Sequence, residues 1–264
     1  MRILLTNDDG IHAPGIAALH GALDGLGEIV PVAPLTVQSA SSHGITFHEP
    51  LMCSEVVIDE RFFGTAIDGR PADCVKLALR AIWQERFGPG SRPDLTISGL
   101  NSGANVGINV LYSGTVAAAV ESAVLGVPAL AVSLHLGDRS KVHHRRGAWI
   151  ARQVIDRVLL HPLGDHTVIN INIPRTESAD APMPDIRVVG MNAAAGTDSY
   201  ERRESPTGDA YYWPIGEGME FVQTAPESDV EALLDGKITV TPLSYVMTDR
   251  DRMQAWRERL ESKV

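Results

Sequence analysis

The sequence predicts an α/β fold: a largely parallel sheet with helices on both faces, followed by a C-terminal extension with a hairpin arm. Short apolar runs recur along the first two-thirds of the chain, segments with apolar residues at helical spacing separate them, and turn residues mark the seams. Strands alternating with helices in this way imply right-handed crossovers between parallel strands, and so three layers.

Residues 2–6 read as a buried strand ending at the turn Asn7-Asp8-Asp9-Gly10. Pro14 stands where a helix can start, and Ile16, Leu19, Leu23 and Leu26 follow at helical spacing. Residues 28–33 form a second strand, and 34–46, rich in Ser, Gly and His, a long loop. Short strands are expected between Phe47 and Ile67, and Pro71 opens a helix running towards Phe87. A strand at 95–98 leads into a Gly/Asn/Ser-rich stretch from 99 to 114. The next helix begins near Thr115 and ends at Gly126, with Pro128 just beyond as stop chemistry. Residues 129–134 are a strand, 146–160 a helix and 168–173 another strand.

Past 173 the rhythm fails. Residues 174–226 are rich in Pro, Gly and charge, with strand-like islands at 186–189 and 210–214. Residues 229–234 read as a short helix, 237–241 as a strand and 249–260 as a terminal helix. The chain thus divides into a core, 1–173, and an extension, 174–264, within one continuous domain. A hairpin arm in the extension is a common route to oligomers.

The length of 264 residues suffices for one substantial core, and 44% hydrophobic with 21% charged residues excludes wholesale disorder. A net charge of −10 argues against a nucleic-acid polymer as partner, because such binding needs a clustered basic surface. Cys53 and Cys74 match neither a disulfide framework nor a zinc site and read as small buried hydrophobes in a reducing compartment. The apolar run at 3–5 is broken at once by Asn7, Asp8 and Asp9, unlike a secretory signal. Asn, Gly and Ser interrupt the nearly uncharged stretch 95–134 too often for a membrane span. A cytoplasmic protein without membrane contact is expected.

Chemistry concentrates where strands should end. Parallel sheets place ligands at the carboxyl ends of their strands, so Asp8 and Asp9 should project into that crevice. Adjacent carboxylates repel each other unless a cation lies between them; the alternative is a ligand-free Asx turn. The loop Gln38-Ser39-Ala40-Ser41-Ser42-His43 offers hydroxyls near the same edge, or is simply solvated. In the stretch 98–107, glycines at 99, 103 and 107 permit close backbone approach, while Asn101 and Asn105 offer side-chain amides. Neither a P-loop nor a dinucleotide fingerprint is present. Ser113 and Thr115 open the third helix, either as a cap alone or as a cap plus an anion site.

Charge discriminates between these readings. Residues 1–134 carry seven basic and thirteen acidic side chains, and the sole charge from 95 to 134 is Glu121. A phosphate bound there finds no neutralising lysine or arginine nearby in sequence, whereas a divalent cation on Asp8 and Asp9 would supply the charge. An all-oxygen donor set selects Mg²⁺ or Mn²⁺ over Zn²⁺. Asn105, Ser113 and Thr115 then orient the phosphoryl oxygens, and Asp8 also orients the attacking water. Among the histidines, His12 and the pair His143-His144 read as surface, while His43 has the better claim to face the crevice.

These residues resemble the SurE survival-protein family. The match lies in Asn-Asp-Asp-Gly-Ile-His-Ala-Pro-Gly (7–15), Val-Ala-Pro (32–34), Ser-Gly-Leu-Asn-Ser-Gly-Ala-Asn-Val-Gly (98–107) and Leu-Tyr-Ser-Gly-Thr-Val-Ala-Ala-Ala (111–119). Pro-Ala-Asp-Cys-Val (71–75), Ile-Asn-Ile-Pro (171–174) and Thr-Pro-Leu (241–243) resemble later landmarks in the same order. The resemblance implies a Rossmann-like core and a metal-dependent phosphatase of nucleoside monophosphates, a 5′-nucleotidase. It also implies homodimers or homotetramers built through exchanged C-terminal elements. By motif position the metal ligands fall on Asp8, Asp9, Ser39 and Asn101, one divalent cation per subunit. The chain departs from the family pattern at Leu35, where an acidic residue is usual, at Ser39-Ala40 for Ser-Gly, and at Arg70 for Thr.

Two other readings make different demands. A haloacid-dehalogenase-like phosphatase needs Asp-x-Asp, whereas Asp8 and Asp9 are adjacent. A non-enzymatic receiver-like or nucleotide-sensing module would need a phosphate-accepting Asp at a later strand end, where this chain has Gly-Leu-Asn.

Overall fold

In the computed structural model, which describes residues 1–60, 62–138, 141–216 and 218–261, the run Ile3-Leu4-Leu5 becomes the buried centre of β1 (Arg2–Thr6). The chain continues through α1 (Pro14–Ala22), β2 (Glu28–Pro34), β3 (Cys53–Val57) and β4 (Phe63–Ile67). Next come α2 (Pro71–Leu77), a π-turn (Ala78–Ile82) and α3 (Trp83–Phe87), together the single helix the sequence predicts there. β5 (Leu95–Ser102), a 3₁₀ turn (Gly107–Leu111), α4 (Gly114–Val124), β6 (Ala129–Leu134), α5 (His144–Val158) and β7 (Val168–Ile173) follow. The remainder holds β8 (Ile186–Val188), β9 (Ser199–Glu204), β10 (Ala210–Ile215), α6 (Asp229–Leu234), β11 (Ile238–Leu243) and α7 (Arg250–Leu260).

Nine strands form one sheet in the order β3-β4-β2-β1-β5-β6-β7-β11-β8. The run from β4 to β7 is parallel throughout, and β11 turns antiparallel against β7. Alternation along β1 sends its apolar side chains into two cores. Ile3 and Leu5 pack with Ile16 and Leu19 of α1 and Ile150 of α5, whereas Leu4 packs with Val75 of α2 and Ala118 of α4. Helices therefore cover both faces, which is why the centre of β1, Ile3-Leu4-Leu5, is apolar without a break. From β1 the chain goes to β2 on one side and later to β5 on the other. The carboxyl ends of β1 and β5 thus form the topological switch point, where open α/β sheets bind ligands.

Three expectations need correction. The strand expected to stop at Ser98 runs to Ser102, because after a register shift Asn101 and Ser102 pair with Ser133 and Leu134 of β6. Cys53 is exposed, since β3 is the outermost strand of the sheet, while Cys74 is buried as expected. Segment 199–204 is a strand, although the sequence marks none there. It pairs with β10 as a separate antiparallel hairpin in which every strand residue is exposed. β8 and β11, from beyond residue 173, complete the same sheet as the core strands. Among the described residues no helix is long and apolar enough to cross a membrane.

Candidate active site

Asn7 shapes the turn after β1 by donating its side-chain amide to the Gly10 carbonyl (2.8 Å). Gly10 adopts φ +93°, a conformation that disfavours a side chain. Asp8, only 7% exposed, sits beneath the start of α4 and accepts the Thr115 hydroxyl on Oδ1. Its carboxyl is pushed up to about 6, chiefly by burial and also by the neighbouring Asp9, against the opposing pull of the Thr115 hydroxyl and backbone N–H bonds. Asp9 leans the other way and accepts the backbone N–H of Ser102 at the end of β5 (2.8 Å).

The long loop returns to this point. Gln38 donates its backbone N–H to the Asp8 carbonyl (2.8 Å), and Ser42 is tied to Tyr112 and Leu111 just before α4 (3.1 and 2.8 Å). Ser39 is exposed on that loop. Its neighbour Ser41 has a buried hydroxyl without a partner among the described residues. An added Cβ on Gly114 would meet both Ser41 Oγ (2.9 Å) and Asp8 Cβ (2.8 Å), so loop, carboxylate and helix start touch one another.

From β5, the nearly buried Asn101 donates its amide to the Gly103 carbonyl (2.7 Å), leaving its side-chain oxygen as the atom able to hold a cation. Asn105 is held more firmly still. Its backbone N–H goes to Asn172 (2.8 Å), its carbonyl accepts from Asn170 and Asn172 (2.8 and 3.0 Å), and its side-chain amide donates to Ser133 (2.8 Å). Ser113 caps α4 by accepting the Val116 N–H (3.1 Å). The positive end of α4 therefore meets an anion belonging to the protein itself, the Asp8 carboxylate.

Two histidines depart from expectation. The sequence places His143-His144 on the surface, yet His144 is half-buried with Nε2 3.2 Å from the Ser102 hydroxyl, on the residue whose N–H holds Asp9. Burial pushes its imidazole down, and Asp9 pulls it back up. His43, expected to face the crevice, instead pairs with Glu121 of α4 (2.8 Å), and Lys76 reaches the same carboxylate (3.2 Å). The region's one lysine is thus already paired, and among the described residues no lysine or arginine forms an ion pair with Asp8 or Asp9.

Buried oxygens without partners among the described residues gather at this edge: Thr6 and Ser98, which face each other in register, with Asn7 and Ser41. Such atoms require water or a cation. Among the described residues no three His, Cys, Asp or Glu side chains cluster as a metal site. The donors present, two carboxylates with hydroxyl and amide oxygens, suit a hard cation. An open depression of about 530 Å³ lies over Asp9, Gly10, His12 and Ser102.

The family model "Survival protein SurE" matches residues 3–197. The chain belongs to the SurE family. It is similar to the protein named 5′-nucleotidase SurE in Rhodopirellula baltica, at 42% identity over 260 residues covering 98% of each chain. It is also similar to the one so named in Carboxydothermus hydrogenoformans, at 38% over 270 residues, covering 100% of this chain and 99% of the other. Among solved structures, the SurE protein of Aquifex aeolicus superposes with a TM-score of 0.81 at 34% identity, covering 98% of this chain and 99% of that one. The SurE fold thus agrees with the α/β architecture expected from the sequence.

Proposed function

We propose that this SurE-family chain is a phosphomonoesterase that hydrolyses nucleoside 5′-monophosphates to nucleoside and inorganic phosphate. The reading includes one divalent cation, Mg²⁺ or Mn²⁺, per subunit. The observation that carries it is the Asp8–Asp9 pair at the switch point, with one carboxylate held by the start of α4, the other by the end of β5, and no cationic side chain paired to either among the described residues. The names of the relatives supply the substrate class.

Asp8 and Asp9 would hold the cation, with Ser39 and Asn101 completing the protein donors. When bound, it supplies Lewis acidity, neutralising phosphoryl oxygens and favouring the hydroxide form of water. Asp8 orients the attacking water through the oxygen that Thr115 does not occupy. Ser113, whose hydroxyl hydrogen remains free after capping, and the second amide hydrogen of Asn105 donate to phosphoryl oxygens where charge develops. Thr115 serves the phosphate as part of the helix start, and its hydroxyl fixes Asp8. The buried chain of Asn172, Asn105 and Ser133 holds these donors in place before substrate arrives.

The reading extends to a homodimer or homotetramer in the cytoplasm. The exposed hairpin supports the oligomer: Tyr200, Tyr212 and Trp213 are 64%, 60% and 50% exposed on a ribbon whose two strands pair with each other, apart from the nine-stranded sheet.

Phosphate release from AMP with Mn²⁺ or Mg²⁺ tests the activity. Asp8→Asn and Asp9→Asn should each abolish release while the protein stays folded. Full turnover in either variant, or turnover undiminished by a chelator, would overturn the reading. A phosphoenzyme trapped by acid quench would move it to the aspartyl-phosphate class, and nucleotide binding without release to a sensing module.

A further inference from the structure

Glu121 is the only charged residue between 95 and 134, and its side chain is 6% exposed. A buried carboxylate persists only when partnered, and it has two partners from different places. Lys76 Nζ, on α2, lies 3.2 Å from Oε1, and His43 Nε2, on the serine loop, lies 2.8 Å from Oε2. The two contacts do different work. Lys76 ties one helix to another across the packed α2–α4 face. His43 ties down a loop.

That loop needs ties. Ala40 and Ser42 hold φ +53° and +52°, a region that side chains disfavour and that glycine usually occupies. The backbone between Gln38 and Thr46 is pinned at its two ends, by the Asp8 carbonyl and by the Asp73 carboxylate (2.8 Å each). Between those ends the described ties are the Ser42 bonds to 111–112 and the His43–Glu121 pair. The same helix that receives His43 at Glu121 holds Asp8 at Thr115, six residues or about 9 Å earlier along its axis. One rigid rod thus sets where the carboxylate sits and where the loop sits.

We propose that the His43–Glu121 pair is a latch that presents the serine loop, with Ser39 and the Ser41 hydroxyl that has no partner among the described residues, to the Asp8–Asp9 carboxylates. His43 is a positioning residue for the cation site. The inference rests on the proposed function in one respect: the loop hydroxyls are taken as oxygen donors to a divalent cation. His43 reaches the site only through the loop, and its partly exposed ring makes its replacement compatible with folding.

The test is Mn²⁺ binding to the whole protein without substrate, read by electron paramagnetic resonance of the free ion. His43→Ala should weaken Mn²⁺ affinity about tenfold and speed backbone hydrogen exchange at 39–43. His43→Gln, which can still donate to Glu121, should recover most of both. Lys76→Ala supplies the control, since it removes a partner from the same buried carboxylate without touching the loop. It should lower thermal stability and leave Mn²⁺ affinity within twofold of wild type. Equal Mn²⁺ affinity in wild type and His43→Ala overturns the latch, as does an equal loss in Lys76→Ala, which would make the effect general destabilisation. If the wild-type protein takes up no Mn²⁺ or Mg²⁺, the metal reading itself fails and the latch with it; these results are separable because wild type is measured first.

Discussion

Thr115 donates its hydroxyl to the carboxylate of Asp8, joining the start of α4 to the turn after β1. The residues are 107 positions apart, and the bond is fully buried. It stabilises the ionised form of a carboxyl that burial pushes upward, so that the balance of burial, Asp9 and this bond leaves it at about 6. Thr115→Val keeps the shape and removes the donor. We expect kcat/KM for AMP to fall about tenfold or more, on the order of 1.5 kcal/mol, with Thr115→Ser close to wild type. Steady-state phosphate release decides, and an unimpaired Val variant would show that Asp8 needs no such support.

Gly114 lies where three elements meet. A Cβ there would stand 2.8 Å from Asp8 Cβ, 2.9 Å from Ser41 Oγ and 3.0 Å from Asp8 Oδ2. Gly114→Ala therefore displaces the carboxylate or the serine loop, while alanine favours the helix by roughly 0.5–1 kcal/mol over glycine. The expected signature is a split: activity down by about an order of magnitude with thermal stability nearly unchanged. Parallel assay and melting curves read it, and equal activity would place the loop farther from Asp8 than these contacts do.

Asp229 ties the C-terminal extension to the site. Its carboxylate accepts the backbone N–H groups of Gly107 and Asn192 (2.8 Å each) and of Val230 (2.9 Å). Burial raises its pKa, with these three bonds opposing. Asp229→Ala leaves buried donors unpaired, so we expect a loss of about 2–4 kcal/mol in urea unfolding and faster exchange of the Gly107 amide. A cost below about 1 kcal/mol would mean that water replaces the carboxylate.

The hairpin makes its own prediction. Tyr212→Ser with Trp213→Ser should lower the mass seen by light scattering while the far-ultraviolet dichroism of the core persists. An unchanged mass would assign the subunit contact to another surface.

Much of the site was legible because its signals are local. An apolar run followed by Asn-Asp-Asp-Gly marks a strand end, and Ser-Gly-Thr before small apolar residues marks a capped helix. What escaped depends on tertiary contact. His144 meets Ser102 across 42 residues, and nothing in its His-His-Arg-Arg setting distinguishes it from solvated surface. The partner of His43 was hidden for the same reason, 78 residues away. β9 carries no strand signal because Ser-Tyr-Glu-Arg-Arg-Glu has no alternation, and in a hairpin with every strand residue exposed there is no buried face to impose one. The extra pairing of Asn101 and Ser102 comes from β6, whose sequence carries no mark of that reach.

Glu121 gives stability a pH dependence whose sign follows from its partners. Burial raises its pKa, but His43 and Lys76 together outweigh burial, so the folded value lies below the ordinary 4.5. A carboxyl depressed on folding contributes stability that is fully present above the unfolded value. That contribution is lost as pH falls through the folded value, where the native state also takes up the proton. Glu121→Gln removes the titrating group while keeping the shape. The melting temperature of wild type should therefore exceed that of the variant at pH 7, and the gap should close as the pH is lowered to about 3. The difference between the two curves cancels the opposite tendency of Asp8, whose raised pKa acts equally in both proteins. A gap that stays constant with pH would mean that Glu121 is not held ionised by its partners, and a gap that widens in acid would reverse the sign.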